Sequence, residues 1–185
     1  METLDDQARA FAEIQKYLVK ATVDLFEQYS MPVTHSFGGI ADTSTPSVMA
    51  VIGFAADSVR GALLLLTARA VVVKLRPDEL RSVRVSEDVV LRDVLGEFSN
   101  MLLGRVKTNL STRGLWPLIT TPTTIIGEGL ELPAPTSGLS AWHRFSCEDG
   151  ELFVRLDATL DTDFTLLPEQ TQSTAPNREG AMVEF

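Results

Sequence analysis

Helices and strands that come in groups rather than in alternation predict an α+β domain with a largely antiparallel sheet. Three observations carry that expectation. Residues 88–111 keep a helical hydrophobic period for more than six turns and are expected to form the longest helix. A second helical stripe opens the chain. Two pairs of apolar runs, 48–55 with 61–66 and 139–147 with 151–160, are each joined by a short turn and read as hairpins.

In chain order, residues 3–29 form the first predicted helix, with Leu4, Ala8, Phe11, Ile14, Leu18 and Leu25 at 3.6-residue spacing. Thr3 with Asp6 resembles a capping start. Met31-Pro32 is the expected stop, because the residue before a proline is pushed out of the α region. Residues 33–46, with Gly38-Gly39 and a polar TSTPS run, read as loop with room for one short strand. The run VMAVIGFA (48–55) is apolar and bounded by turn residues, so it reads as a buried strand, and Asp57-Ser58 turns it back into GALLLL (61–66). A short helix is expected over 67–75 and a loop over 76–85, broken by Pro77. The long helix follows and should end near Gly114 in a left-handed stop. LITTPTTII (118–126) is rich in β-branched residues and reads as one strand, with Pro122 marking an edge or a bulge. A loop over 127–137 leads to the last hairpin, turned at Asp149-Gly150. Beyond that the periodicity fades. One domain over 1–162 and a flexible tail over 163–185, polar and proline-containing from 168, complete the expected organisation.

Composition removes several function classes. A net charge of −9 argues against a nucleic-acid partner and against an anionic membrane surface, both of which select clustered Lys and Arg. The most apolar run, 61–75, is interrupted by Arg69 and is too short to span a bilayer, and the acidic start METLDDQARA is not a secretory leader. The expected location is therefore the cytoplasm. Cys147 is the only cysteine, so no internal disulfide or CxxC motif exists, and a buried structural thiol is the expectation. His35, in a polar loop, and His143, in a strand, have no partners at metal-ligand spacing and read as ordinary surface or strand histidines. Trp116 and Trp142 read as core or interface aromatics. No Walker A, GxGxxG or GxSxG motif occurs.

One constellation remains. On the long helix Leu91, Leu95, Phe98, Leu102 and Val106 share an apolar face, whereas Asp93, Glu97 and Asn100, spaced i, i+4, i+7, line a separate polar stripe. Gly104 and Thr108 continue it. A mid-helix glycine costs roughly 1 kcal/mol relative to alanine, and a reason to keep one beside such a stripe is to let another backbone come close. By itself E-x-x-N should recur by chance in roughly one of every few chains of this length, and alone it reads as a solvated helix face.

Its setting is more specific. Asp93-x3-Glu97-x2-Asn100 is followed by Gly104, Lys107, Leu110, Gly114-Leu115 and TPTTIIGEG. This pattern resembles the CheX/CheC/FliY family of chemotaxis phosphatases, whose signature is an Asp or Ser, x3-E-x2-N, and a Pro a little over twenty residues on. Pro122 fills that last place with 21 residues between, about one fewer than the usual pattern. The upstream run VMAVIGFAADSVRGALLLL also resembles the first hairpin of the family. A single copy of the signature makes the chain more similar to CheX than to CheC-type members, which commonly carry two.

The resemblance implies a CheC/CheX-like fold with the long helix exposed on the sheet, a homodimer, and hydrolysis of the aspartyl phosphate on a CheY-like response regulator. In that reaction the partner supplies the phosphorylated Asp, the Mg²⁺ and a Lys, so the chain needs no cofactor or metal of its own. Asn100 would position the attacking water and Glu97 would pair with the partner's Lys, with Asp93 and Gly104 beside them at the contact. Asp93 could equally pair with Arg92 or Arg105. The alternative is a CheX-like binding module that docks a response regulator, or another chemosensory or flagellar signalling protein, without hydrolysis.

Overall fold

In chain order the elements are α1 (Glu2–Gln28), β1 (Thr34–Phe37), β2 (Ser47–Ala56), β3 (Val59–Ala68), α2 (Arg69–Leu75), α3 (Glu87–Ser111), β4 (Leu118–Ile119), β5 (Thr123–Gly127), β6 (Leu139–Cys147) and β7 (Gly150–Leu160). They come from a computed structural model that describes residues 2–38, 47–77, 86–132, 134–135, 138–162 and 164–168, with side chains from residue 6 onward. The expected loops over 33–46, 76–85 and 127–137 and the tail over 163–185 therefore fall partly outside the described residues. The fold is α+β, and every described strand pair is antiparallel.

The sheet runs β1-β6-β7-β3-β2, with β4 and β5 in succession along the outer edge of β2. The GALLLL run shows why its strands are apolar throughout. Leu63 and Leu65 face the helices, while Leu64 and Leu66 face a second cluster with Met49 and Phe153, capped by Leu130 and Leu132. Both faces of β3 are covered, so alternation disappears from its sequence. Tertiary pairing also overrides leucine's helical preference there: Thr67, expected to be helical, is still paired with Val48 on one side and Leu152 on the other. Helix α2 accordingly begins only at Arg69. At Gly61 a Cβ would lie 2.1 Å from the Asp157 carbonyl oxygen and 2.6 Å from Phe54 Cζ, so only glycine fits between these strands.

Helix α1 has 27 residues and α3 has 25, so the longest helix is the first and not the one expected. Thr3 is already helical, so it is not the cap. The end of α1 also differs in cause. Met31 N–H donates to Phe26 O (3.1 Å), Ser30 N–H donates to Glu27 O (2.9 Å), and Ser30 takes a left-handed φ of 55°. That is a Schellman stop, which closes the helix at Gln28 before Pro32 acts. Helix α3 ends in the same way, with Gly114 at φ 78° and Leu115 N–H on Leu110 O (3.1 Å). Here the glycine stands where the sequence put it.

The expected strand over 118–126 is two strands. Gly53 N–H donates to Thr120 Oγ1 (2.9 Å) and Thr120 N–H to Gly53 O (3.0 Å), so a side chain replaces one ladder bond. Pro122, with no N–H, extends the gap. The core under the helices includes Phe164, which is 4% exposed, so packing continues past the boundary expected at 162. His35 lies in β1 rather than in a loop, and Cys147 is half-buried, its thiol donating to Gly150 O (3.3 Å). Trp116 is 62% exposed, and Trp142 is half-buried beneath the Arg155 guanidinium. His143 is fully buried.

Candidate functional site

Helix α3 divides as its sequence indicates. Leu91, Leu95, Phe98, Leu102 and Val106 are each at most 2% exposed and seal the core against β2 and α1. Asp93, Glu97, Asn100 and Thr108 are exposed, with Gly104 half-buried between them. Neighbours three and four apart on a helix stand about 5–6 Å apart at Cβ, so the carboxylates and the amide present one continuous polar strip. Among the described residues, no side-chain hydrogen bond or ion pair engages Asp93, Glu97 or Asn100. Neither Arg92 nor Arg105 pairs with Asp93 there. Thr108 donates to Gly104 O (3.0 Å) within the helix. A Cβ on Gly104 would meet nothing within 4 Å, so the room beside it is open.

The strip borders an open cleft of about 480 Å³. Asp93, Glu97 and Asn100 form its floor, Thr121, Pro122 and Thr124 one wall, and Leu75 and Pro77 part of the rest. Pro122 and Thr124 lean on the helix at Gly96, where a Cβ would sit 3.6 Å from each. The break between β4 and β5 thus places Pro122 beside the polar strip, although 21 residues separate it from Asn100.

Tyr29, at the C-terminal end of α1, also lines the cleft and was not among the expected site residues. Its ring tilts against Phe98 at a centroid distance of 6.1 Å, and its hydroxyl donates to Met101 Sδ at 3.8 Å. Burial pushes the phenol pKa up, the Glu97 carboxylate raises it further, and Arg105 opposes the rise. The available signal was its spacing, four residues after Leu25 and three after Phe26, which puts a polar-tipped aromatic at the next position of the apolar stripe. Among the described residues no group of three or more His, Cys, Asp or Glu side chains could hold a metal ion. No helix among them is long and apolar enough to cross a membrane.

A second polar pair lies away from this cleft. His35 Nε2 and His143 Nδ1 are 3.1 Å apart, flanked by Phe37 and Phe145, while Nε2 of His143 is buried with no hydrogen-bond partner. Burial, and then the neighbouring His35, lower the His143 pKa to about 4; burial also lowers that of His35.

Compared with known families, the sequence matches the profile described as chemotaxis phosphatase CheX over residues 48–146, from β2 through β6 and including all of α3. The chain belongs to the CheX family. No curated protein matches the sequence. Solved structures share the fold at low identity. The chemotaxis protein CheX from Desulfovibrio desulfuricans is 20% identical with a TM-score of 0.67, the match covering 80% of this chain and 99% of that one. CheX from Vibrio vulnificus is 18% identical with a TM-score of 0.68, covering 80% and 97%. The structure of a CheX–CheY–BeF₃–Mg²⁺ complex from Borrelia burgdorferi contains a chain 17% identical with a TM-score of 0.62, covering 77% and 96%. This CheX-family chain therefore keeps the family's α+β architecture around an exposed α3.

Proposed function

We propose that this protein hydrolyses the aspartyl phosphate of a CheY-like response regulator, using α3 as a probe inserted into the regulator's site. The observation that carries the reading is the strip Asp93–Glu97–Asn100. It joins two carboxylates and an amide, exposed and without side-chain hydrogen bonds among the described residues, on the helix of a CheX-family fold. A polar strip held ready in this way is suited to groups contributed by another molecule. The complex of a family member with CheY, BeF₃ and Mg²⁺ supports a regulator as that molecule.

The chemistry asks little of the chain. Hydrolysis breaks the bond between phosphorus and the aspartyl oxygen and forms one to water. The aspartate leaves as carboxylate, and the water's protons pass to phosphate and solvent. Catalysis of phosphoryl transfer is mostly positioning and charge stabilisation. The Asn100 amide oxygen can accept a hydrogen bond from the attacking water while its NH₂ donates to phosphoryl oxygens. Glu97, nearly one turn earlier, pairs with a regulator Lys and anchors the complex, and Asp93 and Gly104 extend the contact. The regulator brings Mg²⁺, and no metal site on this chain is needed. The working unit is a homodimer, in keeping with β1 and the β4–β5 edge, each of which is paired on one side only among the described residues.

The test is loss of radiolabelled phosphate from phospho-regulators, with wild type and Asn100→Ala in parallel. Because Asn100 is exposed, the variant should melt like wild type and lose activity by roughly a hundredfold or more. Glu97→Ala should mainly weaken the complex. If Asn100→Ala retains full activity, the amide does not hold the water. If a regulator co-elutes with the protein yet keeps its phosphate, the domain is a docking module without turnover.

A further inference from the structure

Tyr29 reaches the edge of the polar strip from a different element, and its hydroxyl is poorly used. The Schellman closure at Phe26–Met31 fixes the chain at Tyr29, and the contact with Phe98 fixes the ring. Its hydroxyl then lies on Met101, one turn beyond Glu97, and opens into the same cleft as Glu97 and Asn100. The acceptor there is a thioether sulfur, a weak one. The Glu97 carboxylate, a far better acceptor, has no hydrogen bond or ion pair among the described residues. Tyr29 and Glu97 line the same cleft, and the charge of Glu97 adds to burial in raising the phenol pKa.

Resting on the phosphatase reading above, we infer that Tyr29 is a positioning residue: on docking, its hydroxyl exchanges Met101 Sδ for the Glu97 carboxylate and holds that carboxylate toward the regulator's cation. The exchange replaces a neutral, weak bond with a charge-assisted one, which is stronger and directional. It becomes favourable when the partner displaces water from the cleft, because a hydrogen bond to a charge gains as the surroundings become less polar. Glu97 has several rotatable bonds and no restraint of its own. Tyr29, pinned at both backbone and ring, supplies one without touching phosphate or water.

Tyr29→Phe keeps the ring against Phe98 and removes only the hydroxyl. In steady-state dephosphorylation it should raise KM for the phospho-regulator roughly three- to tenfold, in the range of a partly exposed charge-assisted bond, and leave kcat within about twofold. In a Glu97→Gln background the same change should add nothing. A Tyr29→Phe effect of equal size in both backgrounds, or none in either, overturns the inference. A second readout needs no regulator. In a Tyr17→Phe protein, where Tyr29 is the remaining tyrosine, alkaline absorbance titration should give a lower phenol pKa once Glu97→Gln is added. An unchanged value would refute the coupling itself. A wild-type protein that dephosphorylates no regulator overturns the phosphatase reading and this role with it, while the titration still reports whether the two side chains interact.

Discussion

Acid should loosen this fold chiefly through His143. The residue is fully buried, its Nδ1 shares a hydrogen bond with His35, its Nε2 has no partner, and its pKa lies at about 4. In the unfolded chain an imidazole titrates near 6.5. Between those values the unfolded state binds the proton that the folded state refuses, so stability is full above about pH 6.5 and falls as pH drops towards 4. The whole gap, at about 1.4 kcal/mol per decade of proton affinity, amounts to about 3 kcal/mol, of which about 2 kcal/mol is already lost at pH 5. His35, lowered by burial, acts in the same direction. No carboxylate among the described residues pairs with either imidazole. Phe37 and Phe145 flank the pair, and α1 brings Gln15, Lys16 and Lys20 to the cleft it shares with His35, the two lysines paired with Glu13 and Asp24. His143→Phe keeps an aromatic of similar size and cannot be protonated. Denaturant unfolding at constant ionic strength should find it within about 1 kcal/mol of wild type at pH 7.5. At pH 5 it should be more stable than wild type by about 2 kcal/mol beyond that offset. A gap that stays flat from pH 7.5 to 4.5 would refute the argument, because the proton would then be accommodated inside the fold.

Two further outcomes follow from surfaces rather than the core. Gly104→Ala should raise the thermal midpoint, since the new methyl meets nothing within 4 Å and removes a helix penalty of roughly 1 kcal/mol. It should also weaken regulator binding where a second backbone needs that space, and unchanged affinity in a titration would take Gly104 out of the contact. Light scattering behind size-exclusion chromatography should report a dimer, because among the described residues β1 and the β4–β5 edge pair on one side only; monomer alone across a wide concentration range would reject it.

Much of the site could be read in the sequence because it obeys a local rule. Residues on one helix are placed by the 3.6-residue period alone, so Asp93, Glu97 and Asn100 fell on one face and Leu91, Leu95 and Phe98 on another without any knowledge of what covers them. The left-handed stop at Gly114 was legible for the same reason. The misreadings share the opposite cause. Thr120 breaks the 118–126 strand through a bond to Gly53, 67 residues away. His35 belongs to β1 only because β6, more than 100 residues later, pairs with it. Tyr29 enters the cleft because α1 packs on α3, a contact that no window along the chain contains. Ser30 at positive φ is a further case, since a serine does not signal the left-handed turn that a glycine would.

The exposed polar strip also separates two histories. An exposed residue with no side-chain hydrogen bond or ion pair among the described residues can be exchanged at little cost in folding free energy. Asp93, Glu97 and Asn100 can therefore drift while the domain stays folded, and a single substitution could turn a turnover enzyme into a silent binder with an unchanged melting curve. Gly61, wedged against the Asp157 carbonyl, has no such freedom. Lineages of this fold should accordingly keep their architecture long after they change occupation.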